Sequence, residues 1–179
     1  HDEQIKNPVV KHYEFAKEAP RDRLLEDLER SALLQAAGPR IKPMILMAMW
    51  TGMRQGEILQ LRWSDVDFQK HVINIRKETT KDTQARMVPL FRDPKKPGIN
   101  LEKMLFQMWV ERIGPAVVGN AAGERAWWTS YYRPAFNKAL RLSGVKDFTF
   151  RDLRHTFVAD HIMAGTDLKT IATYVGHES

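Results

Sequence analysis

Four short stretches carry charged side chains at spacings suited to an anionic ligand. The first is Thr51-Gly52-Met53-Arg54-Gln55-Gly56-Glu57, followed by Leu61-Arg62-Trp63-Ser64-Asp65-Val66-Asp67. Arg54 stands directly after a glycine turn, and Glu57 is three residues on, so both side chains share one helical face. A guanidinium held by a carboxylate keeps a fixed charge and a fixed orientation, which suits bidentate contact with a phosphate. An ordinary i, i+3 surface salt bridge is the competing reading. The second stretch, Lys77 to Pro89, contains Thr80-Lys81 and Arg86-Met87-Val88-Pro89. Lys81 falls at a hairpin turn, from which an ammonium can reach a phosphate or protonate a leaving oxygen, or simply be solvated.

The third stretch is Thr149-Phe150-Arg151-Asp152-Leu153-Arg154-His155-Thr156. Arg151 and Arg154 lie three apart at the start of an expected helix, on the same side. Two cations at the positive end of a helix dipole disfavour that helix, and an anion between them would relieve the conflict. His155 reads as a hydrogen-bonded structural histidine. The fourth, Tyr174-Val175-Gly176-His177-Glu178-Ser179, ends the sequence. Gly176 stops a short helix and presents His177 in a turn, where an imidazole can donate to an oxyanion or shuttle a proton.

The elements that must position these groups follow from hydrophobic period. A helix is expected over residues 22–37, where Leu24, Leu25, Leu28, Leu33 and Leu34 form a stripe and Gly38-Pro39 stops it. Residues 41–51 predict a second helix, apolar nearly all round and therefore buried. Gly52 ends it, and a short third helix runs over 54–61. The period then shortens: residues 66–68, 72–75 and 85–91 are β-branched or alternating, with turns at 69–71 and 79–84. Residues 92–100 are a Pro/Lys/Gly loop. Helices resume over 101–112, 129–143 (with Pro134 early and Gly144 as its C-cap), 151–163 and 167–174, with Gly165 between the last two. Residues 114–125 are small and read as flexible. The fold class is mainly α with one small antiparallel three-stranded sheet.

The whole chain bounds the partners. Its 179 residues fit one domain plus a linker, and 43% hydrophobic residues argue for a packed core rather than disorder. The longest apolar stretch, Pro43 to Trp50, falls well short of the roughly 20 residues of a membrane helix. No signal peptide is evident, and a start without Met suggests an excised fragment. The absence of cysteine excludes disulfides and thiolate metal sites and fits a reducing cytosol. A formal net charge of +6 favours polyanions, whose neutralised phosphates release counterions.

Taken in order, "TGMRQGEILQLRWSDVD", a hairpin lysine, "RDLRHTF" and "VGHES" resemble the successive boxes of the catalytic domain of tyrosine recombinases, the phage-integrase family. The resemblance covers about residues 8 to 179. It implies that 1–19 is a linker from an N-terminal core-binding domain and that 20–179 is the catalytic domain. It also implies roles. Arg54 and Arg154 match the two arginines that clamp the scissile phosphate, where preorganised cations stabilise developing charge. Lys81 matches the general acid that protonates the departing 5′ oxygen. Arg151 stands where the family usually has His or Lys; it can bind phosphate but does not titrate near neutral pH. His177 matches a hydrogen-bond donor to the phosphate. Glu57 and Asp152 match positions that hold the arginines, with His155 beside them.

The family's nucleophilic tyrosine follows that His by about nine residues, whereas the sequence ends two residues after His177. Tyr174 matches a packing position, and Tyr131 and Tyr132 read as helix-face or core residues. The reaction implied is phosphoryl transfer through a 3′-phosphotyrosyl link, with no cofactor and no metal. The partners implied are double-stranded DNA and other protomers of the same recombinase, joined through the absent C-terminal tail. No membrane is implied; the location expected is cytoplasmic, on the nucleoid when DNA is bound. Three alternatives stay open: a type IB topoisomerase-like enzyme, a non-catalytic DNA-binding regulatory relative, and a helix-turn-helix regulator built around Gly165.

Overall fold

The computed structural model describes residues 23–79, 85–90 and 100–176. The expected linker over 1–19, the turn and lysine at 80–84, most of the loop at 92–100, and His177 lie outside the described residues. Seven α-helices are described: α1 Asp27–Ala36, α2 Lys42–Thr51, α3 Gln55–Gln60, α4 Leu101–Val110, α5 Arg133–Ser143, α6 Asp152–Met163 and α7 Leu168–Val175. Three strands, β1 Val66–Asp67, β2 Val72–Ile75 and β3 Arg86–Pro89, form one antiparallel sheet in the order β1-β2-β3. The predicted class and element order therefore hold, with ends shifted by a few residues.

Local chemistry explains the elements. Helix α2 has Pro43 in its first turn and buries Met44, Ile45, Met47, Ala48, Met49 and Thr51, as an all-round apolar helix must. Helices α4 and α7 open on side-chain caps: Asn100 accepts from the Lys103 N–H, and Asp167 from the Thr170 N–H. In the sheet, Ile73 pairs with Val88, and Ile73, Ile75 and Val88 all face the core. Helix α1 packs on α5, α2 on α6, and α7 on β3. No helix among the described residues is long and apolar enough to cross a membrane.

Two expectations are corrected. Residues 114–125 are not a flexible stretch. Bridges Arg62↔Ala116 and Gly119↔Arg125 pin it, and it buries Val117 and Val118. Gly114 and Gly123 pass so closely that a Cβ on either would meet the other's backbone within 2.3–2.9 Å, so the small residues serve backbone contact rather than mobility. The helix expected over 129–143 is also divided. Residues Trp128–Tyr132 form a single π-helical turn, and regular α-helix begins at Arg133, with Pro134 in its first turn. Pro134 lacks the N–H that an α-helix through Thr129 would require, so the chain widens there. Tyr132 is core, as expected, and its hydroxyl donates to the Gly119 carbonyl.

Candidate active site

The site is built where α2 ends, α3 begins, α6 begins and α7 ends. Gly52 closes α2 in the left-handed region at φ 63°, and a Cβ there would stand 2.5 Å from Phe157 Cδ1 and 3.0 Å from Val175 Cγ1. Only glycine makes this turn while α6 and α7 press against it. Two residues later the backbone is extended at Arg54, which is the N-cap of α3 rather than its first helical residue.

Glu57 is 2% exposed and organises this turn. Its Oε2 accepts from the Arg54 backbone N–H at 2.8 Å, while its Oε1 is 3.5 Å from Arg54 Nη1. The expected pairing exists, but it works mainly through the Arg54 backbone. The stronger side-chain partner is one the sequence did not single out. Arg86 Nη1 and Nη2 donate to Glu57 Oε1 and Oε2 at 2.8 and 2.7 Å, and Arg86 Nε donates to the Tyr174 carbonyl at 2.8 Å. The signal that could have found it is a polar residue at the inward-facing end of a strand otherwise closing on the core.

Arg154 is buried, 7% exposed, on the first turn of α6. Nη1 donates to the Gly52 carbonyl and Nη2 to the Val175 carbonyl, each at 2.7 Å. Those carbonyls lie at the C-terminal ends of α2 and α7, the negative ends of two helix dipoles. The expected electrostatic conflict at the start of α6 thus finds relief inside the protein. Arg154 turns inward to two carbonyl ends, and Asp152 supplies a negative charge in the first turn. Arg151, the N-cap, stays exposed. Asp152 accepts from the Thr149 N–H at 2.7 Å and from its hydroxyl at 2.8 Å, closing the entry to α6. His155 is half-buried on the same turn. Tyr174 packs its ring edge-on to His161 and gives its carbonyl to Arg86, as a packing residue would.

Arg154 thus ties the turn that carries Arg54 to the end of α7, whose next residue but one is His177. The sequence model of the phage integrase family matches residues 19–179. The chain belongs to the phage integrase family. It is 29% identical over 163 residues to the integrase of Salmonella phage P22, a match spanning 89% of this chain and 42% of that protein. Across the three relatives P22 integrase, a XerC-like tyrosine recombinase of Caldanaerobacter subterraneus and the Escherichia coli prophage integrase IntR, the matches span 42%, 44% and 49% of their lengths, so the chain spans about half the length of these relatives. Its fold is that of the lambda integrase catalytic core, with TM-score 0.71 at 22% identity, covering 88% of this chain and 92% of that one. A lambda integrase tetramer bound to a Holliday junction gives TM-score 0.75 at 22% identity, covering 92% of this chain and 49% of that one.

Proposed function

We propose that residues 20–179 form the phosphate-activating part of a tyrosine-type, site-specific DNA recombinase, preceded over 1–19 by a linker from a core-binding domain. The complete enzyme cleaves and rejoins DNA strands. A tyrosine oxygen attacks the scissile phosphorus, forms a 3′-phosphotyrosyl ester and releases a 5′-hydroxyl; attack by that hydroxyl or a partner's reverses the step. The phosphodiester energy is conserved in the covalent link. The observation that carries the reading is the convergence of Arg54 and Arg154, 100 residues apart in sequence, through the 2.7 Å bond from Arg154 to the Gly52 carbonyl. In a member of this family that is the arrangement a two-arginine phosphate clamp needs.

Within this reading Arg54 and Arg154 stabilise charge on the phosphoryl oxygens, and Arg151 contributes an exposed cation to the same phosphate or its neighbour. Lys81 protonates the leaving oxygen and His177 donates a hydrogen bond to the phosphate. Asp152 and His155 support the start of α6. The nucleophile is the family's tyrosine about nine residues beyond His177. The partners are double-stranded DNA and further protomers of the same recombinase, as the lambda integrase tetramer on a Holliday junction supports; the protomers are joined through the C-terminal tail. The location proposed is the cytoplasm, on the nucleoid when DNA is bound.

The test uses the complete protein and a nicked suicide duplex that traps the covalent adduct. Arg54→Ala should slow adduct formation by about 10²–10³ while the variant still binds duplex DNA. Adduct formation at the wild-type rate would overturn the assignment. Arg54 is the cleaner probe, because Arg154→Ala also strips two buried carbonyls of their donor.

A further inference from the structure

We infer that Arg86 is a positioning residue of this pocket: it neutralises Glu57 so that Arg54 is held by its backbone while its guanidinium is kept for the substrate phosphate. The inference rests on the recombinase reading above. Arg86 has a side chain only 6% exposed and joins three elements. From β3 it grips both oxygens of Glu57 on α3 and the Tyr174 carbonyl near the end of α7. A Cβ on Gly176 would stand 3.0 Å from Arg86 Nη1 and 3.2 Å from its Cδ and Cζ, so the last glycine of α7 lies against the guanidinium. The residue after that glycine is His177.

The logic concerns competition for one buried carboxylate. Glu57 is needed at the turn, because its Oε2 caps the Arg54 N–H. A buried carboxylate also demands a cation, and two candidates are near. Arg86 meets it with a fork of two short bonds, whereas Arg54 Nη1 stays 3.5 Å from Oε1. Such bidentate geometry is the strongest form of carboxylate–guanidinium contact. Remove Arg86, and the cation left beside Glu57 among the described residues is Arg54, which closes on the carboxylate and turns from the substrate. The matching pair Arg76–Asp65, at 3.0 Å, repeats the same design one motif later, where Asp65 caps the Arg62 N–H. Arg76 meets α3 at its far end, donating to the Gln60 carbonyl at 2.8 Å, away from the Arg54 turn, and so provides a control.

The experiment measures adduct formation on the nicked duplex at saturating DNA, using the complete protein. Arg86→Met should slow the step about tenfold to a hundredfold with DNA affinity unchanged. Glu57→Gln in the same chain should restore most of the rate, since an amide still caps the Arg54 N–H but does not capture its guanidinium. A wild-type rate in Arg86→Met, or a double variant as slow as the single one, overturns the inference. Should Arg86→Met fail to fold, Arg86→Lys decides. A point charge does not span both carboxylate oxygens and the Tyr174 carbonyl, so its rate should fall severalfold at unchanged affinity, and a wild-type rate overturns the inference. Arg76→Lys should leave the rate intact; a loss equal to that of Arg86→Lys also overturns it. Arg54→Ala on the same substrate separates the two claims: no loss there sinks the recombinase reading itself.

Discussion

Arg154 performs two tasks that are hard to separate by truncation. Its guanidinium is proposed to carry charge to a phosphate, and two of its five N–H donors close the ends of α2 and α7. Gly52 is the other side of that contact, since its carbonyl receives Arg154 and its missing side chain admits Phe157. Gly52→Ala would combine a left-handed backbone with a 2.5 Å clash against a buried ring. It should lower stability by more than about 1 kcal/mol and impair adduct formation. Thermal melts and the trapping assay check both, and a melting temperature equal to wild type would contradict the packing described. Gly52 was legible in the sequence as the stop of a buried helix; its contact with Phe157 was not. That contact joins residues 105 positions apart, and no local pattern encodes it. Arg86 was missed for a related reason. Its role is set by Glu57 and Tyr174, which reach it only in the folded chain.

At the level of elements, periodicity located the seven α-helices and three strands among the described residues, because apolar stripes and β-branched runs are local properties; the short 3-10 turns at 63–65 and 77–79 carry no such period and were not foreseen. Departures came where backbone contacts rule, in the pinned 114–125 segment and the π turn before Pro134. The packing of α6 on α7 has a pH signature. His161 stacks on Phe157 with ring centroids 4.1 Å apart, and its Nδ1 is 3.1 Å from the Phe157 carbonyl. Burial holds its imidazole below the ordinary value of 6.5, against smaller opposing effects of that carbonyl and of Asp160. The unfolded chain therefore takes up a proton that the folded one resists. This contribution to stability is complete above about pH 6.5 and is lost as pH falls through the window beneath it. His161→Gln should accordingly lose less melting temperature than the wild type between pH 7.5 and pH 5. Equal losses would remove His161 as the cause.

The whole molecule carries 28 Lys and Arg against 22 Asp and Glu. Several of these cations are already paired within the chain: Arg86 with Glu57, Arg30 with Asp160 and Arg23 with Glu29. Net charge therefore does not report which cations are available to a polyanion. Salt dependence does. If the exposed Arg151 meets a DNA phosphate, Arg151→Ala should lower the slope of log K against log salt by about 1, and Arg86→Lys should leave it unchanged. Binding isotherms at several salt concentrations check this, and an unchanged slope in Arg151→Ala would remove that residue from the interface.

The bond between Arg154 and Gly52 also bears on synthesis. It closes a loop of 102 residues, and its second anchor, Val175, lies 21 residues further on. A ribosome that has delivered the Arg54 turn, the sheet and five of the described helices has not yet supplied Arg154, which ties that turn to α7. Contacts of such long sequence separation form late. If the proposed recombinase reading holds, chains that stop short of α6 lack Arg154 and cannot complete the clamp, so half-made copies do not nick DNA.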